Sequence, residues 1–183
     1  MPVSKHGYLA QAARRFGRAN PERIDVEHWV EMVRTGEGAY VAAMRHLGDD
    51  ASNHPEPGWC FERFGMTRTR LPDGRVVCVA GEHEDYYDPD FCIYNDVVVI
   101  APDGGVSIFG YPEDVFPPTD FHTATLVGSR IVLIGSLGYY DRRTFGHTPV
   151  YELDLQSPPH RHRRGGGTGG DGGDRAAAEA GLH

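Results

Sequence analysis

The chain has 183 residues, of which 39% are hydrophobic, and its formal net charge is −8. That length suits one ordinary domain with an arm or a tail. An acidic balance is wrong for gripping phosphate backbones, and no apolar run approaches the roughly 20 residues of a membrane span, so neither nucleic acid nor membrane is expected as a partner.

Residues 1–24 form an arm. Tyr8 to Phe16 has the spacing of a short helix with Leu9, Ala13 and Phe16 on one side, stopped by Gly17 and Pro21. The arm lacks the apolar core and cleavage site of a signal peptide. The three cysteines, Cys60, Cys78 and Cys92, show no CxxC spacing and are expected to be reduced and unpaired in a cytoplasmic protein. Residues 25–48 predict a helical hairpin. Asp25 is the expected N-cap, and Val26, Trp29, Val30 and Val33 recur at helical spacing up to Gly36. A second helix, Glu37 to Leu47, places Tyr40, Met44 and Leu47 on one face. Residues 49–60 read as a linker, and Trp59, Phe61 and Phe64 as the contact between helices and sheet.

Residues 61–157 contain one β-rich unit twice, in segments 61–115 and 116–157. Aligning Gly81 with Gly135 lays Val77-Cys78-Val79-Ala80 on Ile131-Val132-Leu133-Ile134 at an offset of 54, and Val97–Ile100 on Val150–Leu153 at an offset of 53. Such a period is the mark of a repeat. Pro72-Asp73-Gly74 and Val127-Gly128-Ser129 have turn chemistry. Each predicts a hairpin, Met66–Leu71 with Val76–Ala80 and Thr123–Val127 with Ile131–Gly135. Val76–Ala80 and Ile131–Ile134 are nearly continuous apolar runs, which predicts strands buried on both faces. Asn95 and Asp96 are expected to cap a turn by side-chain to backbone bonds. Pro102 to Gly105 turns the first copy into a fourth strand, Val106–Phe109. The second copy ends at Ser157-Pro158-Pro159 without one. Residues 158–183 are glycine-rich and nearly devoid of large apolar side chains, and so are expected to be disordered.

The antiparallel strands, the glycine after the second strand, and the endings Asn95-Asp96-Val97-Val98-Val99-Ile100 and Pro149-Val150-Tyr151-Glu152-Leu153-Asp154 resemble the kelch repeat of β-propellers. The usual double glycine is represented by one glycine per copy, and Phe109 stands where a tryptophan is common. The resemblance implies blade-like sheets. Two blades do not close a ring, which takes roughly 4–8. The expected fold class is therefore α+β, mainly β: a helical hairpin packed on two kelch-like antiparallel units, followed by a disordered tail.

The densest chemistry lies in the loop Glu82, His83, Glu84, Asp85, Tyr86, Tyr87, Asp88, Pro89 and Asp90. A second long loop, Leu137–His147, carries Tyr139 and Tyr140. Tyrosine offers rigid amphipathic contact area, and loops on a sheet scaffold are where contacts concentrate. The function expected is a non-catalytic protein-interaction or ligand-binding module without a cofactor. Its contact residues are Glu82, His83, Asp85, Tyr86, Tyr87, Asp88, Asp90, His122, Tyr139 and Tyr140. It is expected to bind a protein partner or to self-associate through open sheet edges. The competing expectation is a divalent-metal hydrolase or lyase using His83, Glu84, Asp85 and His122, because loop carboxylates and imidazoles are ligands and bases; a further one is a divergent fragment of a longer repeat protein. Nucleotide-binding glycine motifs, HExxH and G-x-S-x-G are all absent from the sequence.

Overall fold

The computed structural model describes residues 4–53, 58–83 and 90–155, and the backbone of 178–181. Helix α1, Lys5–Gln11, starts at Ser4, whose Oγ accepts the Gly7 N–H at 3.1 Å. It lies earlier than the spacing of Tyr8 to Phe16 predicts: Tyr8 is its buried residue, and Leu9 is exposed. The two-residue strand β1, Glu22–Arg23, follows, then α2, Glu27–Thr35, and α3, Ala39–Leu47.

Two details of the helical hairpin differ from expectation. The N-cap of α2 is Val26, which makes no side-chain bond, and Asp25 pairs with Arg23 instead. The orphan N–H of His28 is satisfied from outside the helix, by Gln11 Oε1 at 2.9 Å, while the Trp29 indole donates to Gln11 O at 2.8 Å. In α3 the inward face is Ala42 and Leu47, and Tyr40 and Met44 are exposed. Trp29 of α2 stacks on Trp59, with ring centroids 4.8 Å apart. A 3-10 turn covers Gly48–Asn53.

The β strands then follow: β2 Thr67–Arg70, β3 Val76–Val79, β4 Glu82–His83, β5 Cys92–Ile93, β6 Val97–Ile100, β7 Val106–Gly110, β8 Thr123–Val127, β9 Arg130–Ile134, β10 Val150–Asp154 and β11 Ala178–Gly181. The first sheet has the order β1-β7-β6-β3-β2 and the second β11-β10-β9-β8, while β4 and β5 form a separate ribbon. Both sheets contain the expected antiparallel meander. The pair Val79 with Val97 recurs as Leu133 with Tyr151 when both partners are shifted by 54 positions. The observed register thus keeps a single offset, and the one-residue slip read from the sequence falls away. Ala80 and Gly81 turn the chain out of β3 with φ of +51° and +96°. A Cβ at Gly81 would lie 2.8 Å from both Met66 Cβ and Phe64 O, so this corner requires glycine.

Three layers result. Val76, Cys78, Val98, Ile100, Val106 and Ile108 point from the first sheet toward the helices and Trp59, Cys60 and Phe61. The alternate residues Val77, Val79, Val97, Val99 and Phe109 point the other way and pack on Ile131, Leu133, Leu153 and Tyr151 of the second sheet. β3 is therefore buried on both faces, as its apolar run predicts. β9 is not: Ile131 and Leu133 are buried, but Ile134 is exposed, because among the described residues no layer covers the outer face of the second sheet. Each fully buried aliphatic side chain contributes about 1.5–3 kcal/mol, so this double-sided sheet is a large source of stabilisation.

The ends of the chain modify the sheets in two ways that the local pattern does not foretell. β1 of the arm pairs with β7, and β11 runs parallel to β10, where the sequence of the second copy suggests no fourth strand. β1 thereby covers part of the β7 edge and β11 the β10 edge, and among the described residues each sheet still ends in open edge strands, as expected. Expected disorder of the tail concerns 158–177 and 182–183, which lie outside the described residues. Among the described residues, no helix is long and apolar enough to cross a membrane.

Candidate functional site

The acidic loop predicted to bind begins on β4 and ends at Asp90, before β5. Glu84, Asp85, Tyr86, Tyr87 and Asp88 lie outside the described residues. His83 is buried, with Nδ1 3.2 Å from Cys60 Sγ and Nε2 3.4 Å from Asp90 Oδ2. That connectivity has the outline of a thiol, imidazole and carboxylate relay, but its thiol is buried. Cys60 is fully buried, and burial pushes its thiol up to about 11 against the opposing charge of Arg63. Burial also raises Cys92 and Tyr94, whose hydroxyl lies 3.7 Å from Cys60 Sγ. A nucleophilic cysteine needs an accessible thiolate; here the thiols are protonated members of a buried hydrogen-bond network. All three cysteines are free, as expected.

Beneath this network lies a buried ion pair. Arg63 donates to Asp96 Oδ1 at 2.5 Å and Oδ2 at 3.0 Å, and the Trp59 indole donates to Oδ2 at 2.6 Å. Asp96 is thus the anchor of a charged cluster, not the expected turn cap. Asn95 does bond backbone, but at long range, donating to Tyr111 O and Phe116 O. Phe64, expected to join helices and sheet, is exposed; Trp59 and Phe61 do that work.

His122 has a partner that His83 does not share. Its Nε2 lies 2.8 Å from Thr67 Oγ1, and burial lowers its pKa to about 4, with Asp120 pulling the other way. The two imidazoles expected to share a metal site are thus anchored by different partners. Asp120, which is fully buried, positions the second loop: its Oδ1 accepts the Gly138 N–H at 2.6 Å and its backbone carbonyl the Leu137 N–H at 3.2 Å. The loop is pinned further by Tyr139, whose hydroxyl accepts the Ile93 N–H at 2.9 Å, and by Arg143, whose Nε donates to Leu137 O at 2.9 Å. Tyr139 is therefore largely structural.

Tyr140 and Phe145 differ from it: they are 81% and 91% exposed, and Leu137 beside them is 46% exposed. Arg142 and Arg143 lie over the rings of Tyr139 and Tyr140. Together with Pro117, Pro118 and Tyr151 the loop encloses a groove of about 350 Å³. Arg142, Arg143 and Phe145 are absent from the sequence-derived contact set. The signal was available as two arginines and a phenylalanine in a long loop of an acidic domain.

A second constellation, also missed, lies in the helical layer. His28 Nδ1 and His46 Nε2 each lie 3.9 Å from Glu31 Oε2. Among the described residues, this is the group of His, Cys, Asp and Glu side chains whose ligand atoms converge, all within 4.8 Å of one another. Burial and the neighbouring His46 lower the His28 pKa to about 4. Burial raises that of Glu31, but hydrogen bonding and charge from Arg45 outweigh it, and the carboxyl lies below its ordinary range.

Compared with known proteins, the chain matches no family model, no curated protein and no solved structure. The kelch resemblance therefore rests only on the residues quoted for it.

Proposed function

We propose that this protein is a binding module whose contact surface is the Leu137–His147 loop and the groove beneath it, and whose partner is a protein segment rich in carboxylates and aromatic rings. The observation that carries this reading is a groove lined by Arg142, Arg143 and the largely exposed Phe145, next to the likewise exposed Tyr140, whose ring lies under Arg143. Tyrosine, arginine and other large rigid side chains dominate binding energy at protein interfaces. Two further features support it. The loop is already held by Asp120, Tyr139 and Arg143, which reduces the ordering cost of binding. Arg142 pairs with Glu113 at 2.7 Å, whereas the exposed Arg143 bonds only loop carbonyls and keeps its charge on a chain of net charge −8, so an acidic segment is the complement that this loop attracts. Of the contact residues expected from sequence, the reading keeps Tyr140 as a direct contact and Tyr139 as a support.

The test uses a fluorescent peptide of sequence EDYYDPD, an acidic and aromatic probe, titrated with the full chain and followed by anisotropy. Saturable binding is expected to weaken at least tenfold in a Tyr140→Ala/Phe145→Ala variant whose melting temperature is unchanged, and to weaken with added salt. Absence of saturable binding, or binding indifferent to both substitutions, overturns the reading.

A further inference from the structure

Three buried ligand atoms in the helical layer have no hydrogen-bond partner: His28 Nδ1, Glu31 Oε2 and His46 Nε2. The His28 side chain is 1% exposed, that of His46 5% and that of Glu31 19%. Leaving a buried polar atom unsatisfied costs about 1–3 kcal/mol, and three such atoms at one point need a physical account. The separations of 3.9 Å are too long for hydrogen bonds between them. We propose that these three side chains form a site for a divalent transition-metal ion of the zinc class.

The local structure explains why the atoms converge. His28 and Glu31 are three residues apart on α2, hence neighbours on one helix face. His46 comes from the last turn of α3, which returns alongside. Both rings are clamped by Tyr8, which stacks on His46 at 4.8 Å and meets His28 edge-on at 4.9 Å. Arg45 Nη1 holds Glu31 Oε1 at 2.8 Å, leaving Oε2 turned toward the imidazoles. The charge of Arg45 is shared with Glu37, 2.8 Å from Nη2. Ligands of a metal are normally oriented by such outer partners.

The donor set also selects the ion. Two imidazole nitrogens and one carboxylate oxygen suit Zn²⁺, Co²⁺, Fe²⁺ or Ni²⁺, whereas Ca²⁺ and Mg²⁺ require mostly oxygen. In a tetrahedral zinc site with bonds of roughly 2.0–2.2 Å, ligand atoms lie roughly 3.3–3.6 Å apart. The two 3.9 Å pairs thus need a few tenths of an ångström of closure around an ion, and the pair of imidazole nitrogens, within 4.8 Å of each other, up to about 1.5 Å. With three protein ligands, at least one coordination position is left to water. This site is separate from the loop groove, and neither proposal depends on the other.

The test uses the full chain, stripped with EDTA and freed of chelator. Calorimetric titration with Zn²⁺, and visible absorption with Co²⁺, are expected to show one tight equivalent and a raised melting temperature, with no response to Ca²⁺ or Mg²⁺. Glu31→Gln and His46→Gln are each expected to weaken Co²⁺ binding at least tenfold. Circular dichroism and the melting temperature of the metal-free variants, compared with metal-free wild type, separate ligand loss from misfolding. If a variant does not fold, the wild-type protein is examined by X-ray absorption of bound Co²⁺, where a shell of two imidazoles and no sulfur is expected. Absence of binding, full binding retained in both variants, or a sulfur-containing shell overturns the proposal; the first result would assign the cluster to a bound water.

Discussion

Replacing Asp96 by Asn tests the charged cluster beneath the sheet. The side chain keeps its shape but loses its charge, and Arg63, with no exposed side-chain surface, is left without a counter-ion. Arg63 would retain its bonds to Cys60 O at 2.7 Å and Ala80 O at 3.1 Å, and its place over the Tyr94 ring at 3.5 Å. None of these neutralises it. Removing one partner of a buried ion pair costs about 3–5 kcal/mol, and in a chain of this length each kcal/mol lowers the melting temperature by about 2–4 °C. A fall of about 6–20 °C is therefore expected. Urea denaturation should show a lower midpoint at unchanged slope. A double variant, Asp96→Asn with Arg63→Met, should cost at least about 1 kcal/mol less than the sum of the single changes, because the second removes the charge that the first strands. A single-variant cost below about 1 kcal/mol, or strict additivity, would refute the assignment of this pair as a coupled buried unit.

Two further outcomes follow from burial. His122 titrates near 4 in the fold and near 6.5 when unfolded, so between those values the unfolded chain binds a proton that the folded chain does not. Stability is thus expected to fall as pH drops from about 6.5 to 4, by up to about 3 kcal/mol from this group, with Asp120 as the charge that opposes the shift. His122→Gln should flatten the dependence of the urea midpoint over that range; parallel wild-type and variant curves would contradict the assignment. Cys60, Cys78 and Cys92 are buried and held above the ordinary thiol range. They are expected to resist a disulfide reagent such as DTNB at pH 8 and all to react in denaturant; rapid modification of native protein would show that the core opens readily.

Strands and turns were legible because they depend on neighbours in sequence. Pro72-Asp73-Gly74 and Gly128-Ser129 dictate tight hairpins. The 54-residue repeat was visible for the same reason. What covers each face was not. β3 and β9 have similar apolar runs, yet one is sandwiched and the other half exposed, a difference set by the helical layer and not by either strand. The β1–β7 and β10–β11 pairings likewise join distant segments with no local signature.

The candidate sites divide in the same way. Tyr140 was marked by its loop and its residue type alone. The i,i+3 pair His28 and Glu31 could have been marked from the helical spacing, but His46 joins them only through the return of α3 beneath Tyr8. Arg63 and Asp96 meet across two strands and a kink at Ala80 and Gly81. Local sequence determined which backbone each segment adopts, since propensity and turn chemistry act over a few residues. Convergence of charges and imidazoles was decided by packing, which alone brings together groups far apart along the chain.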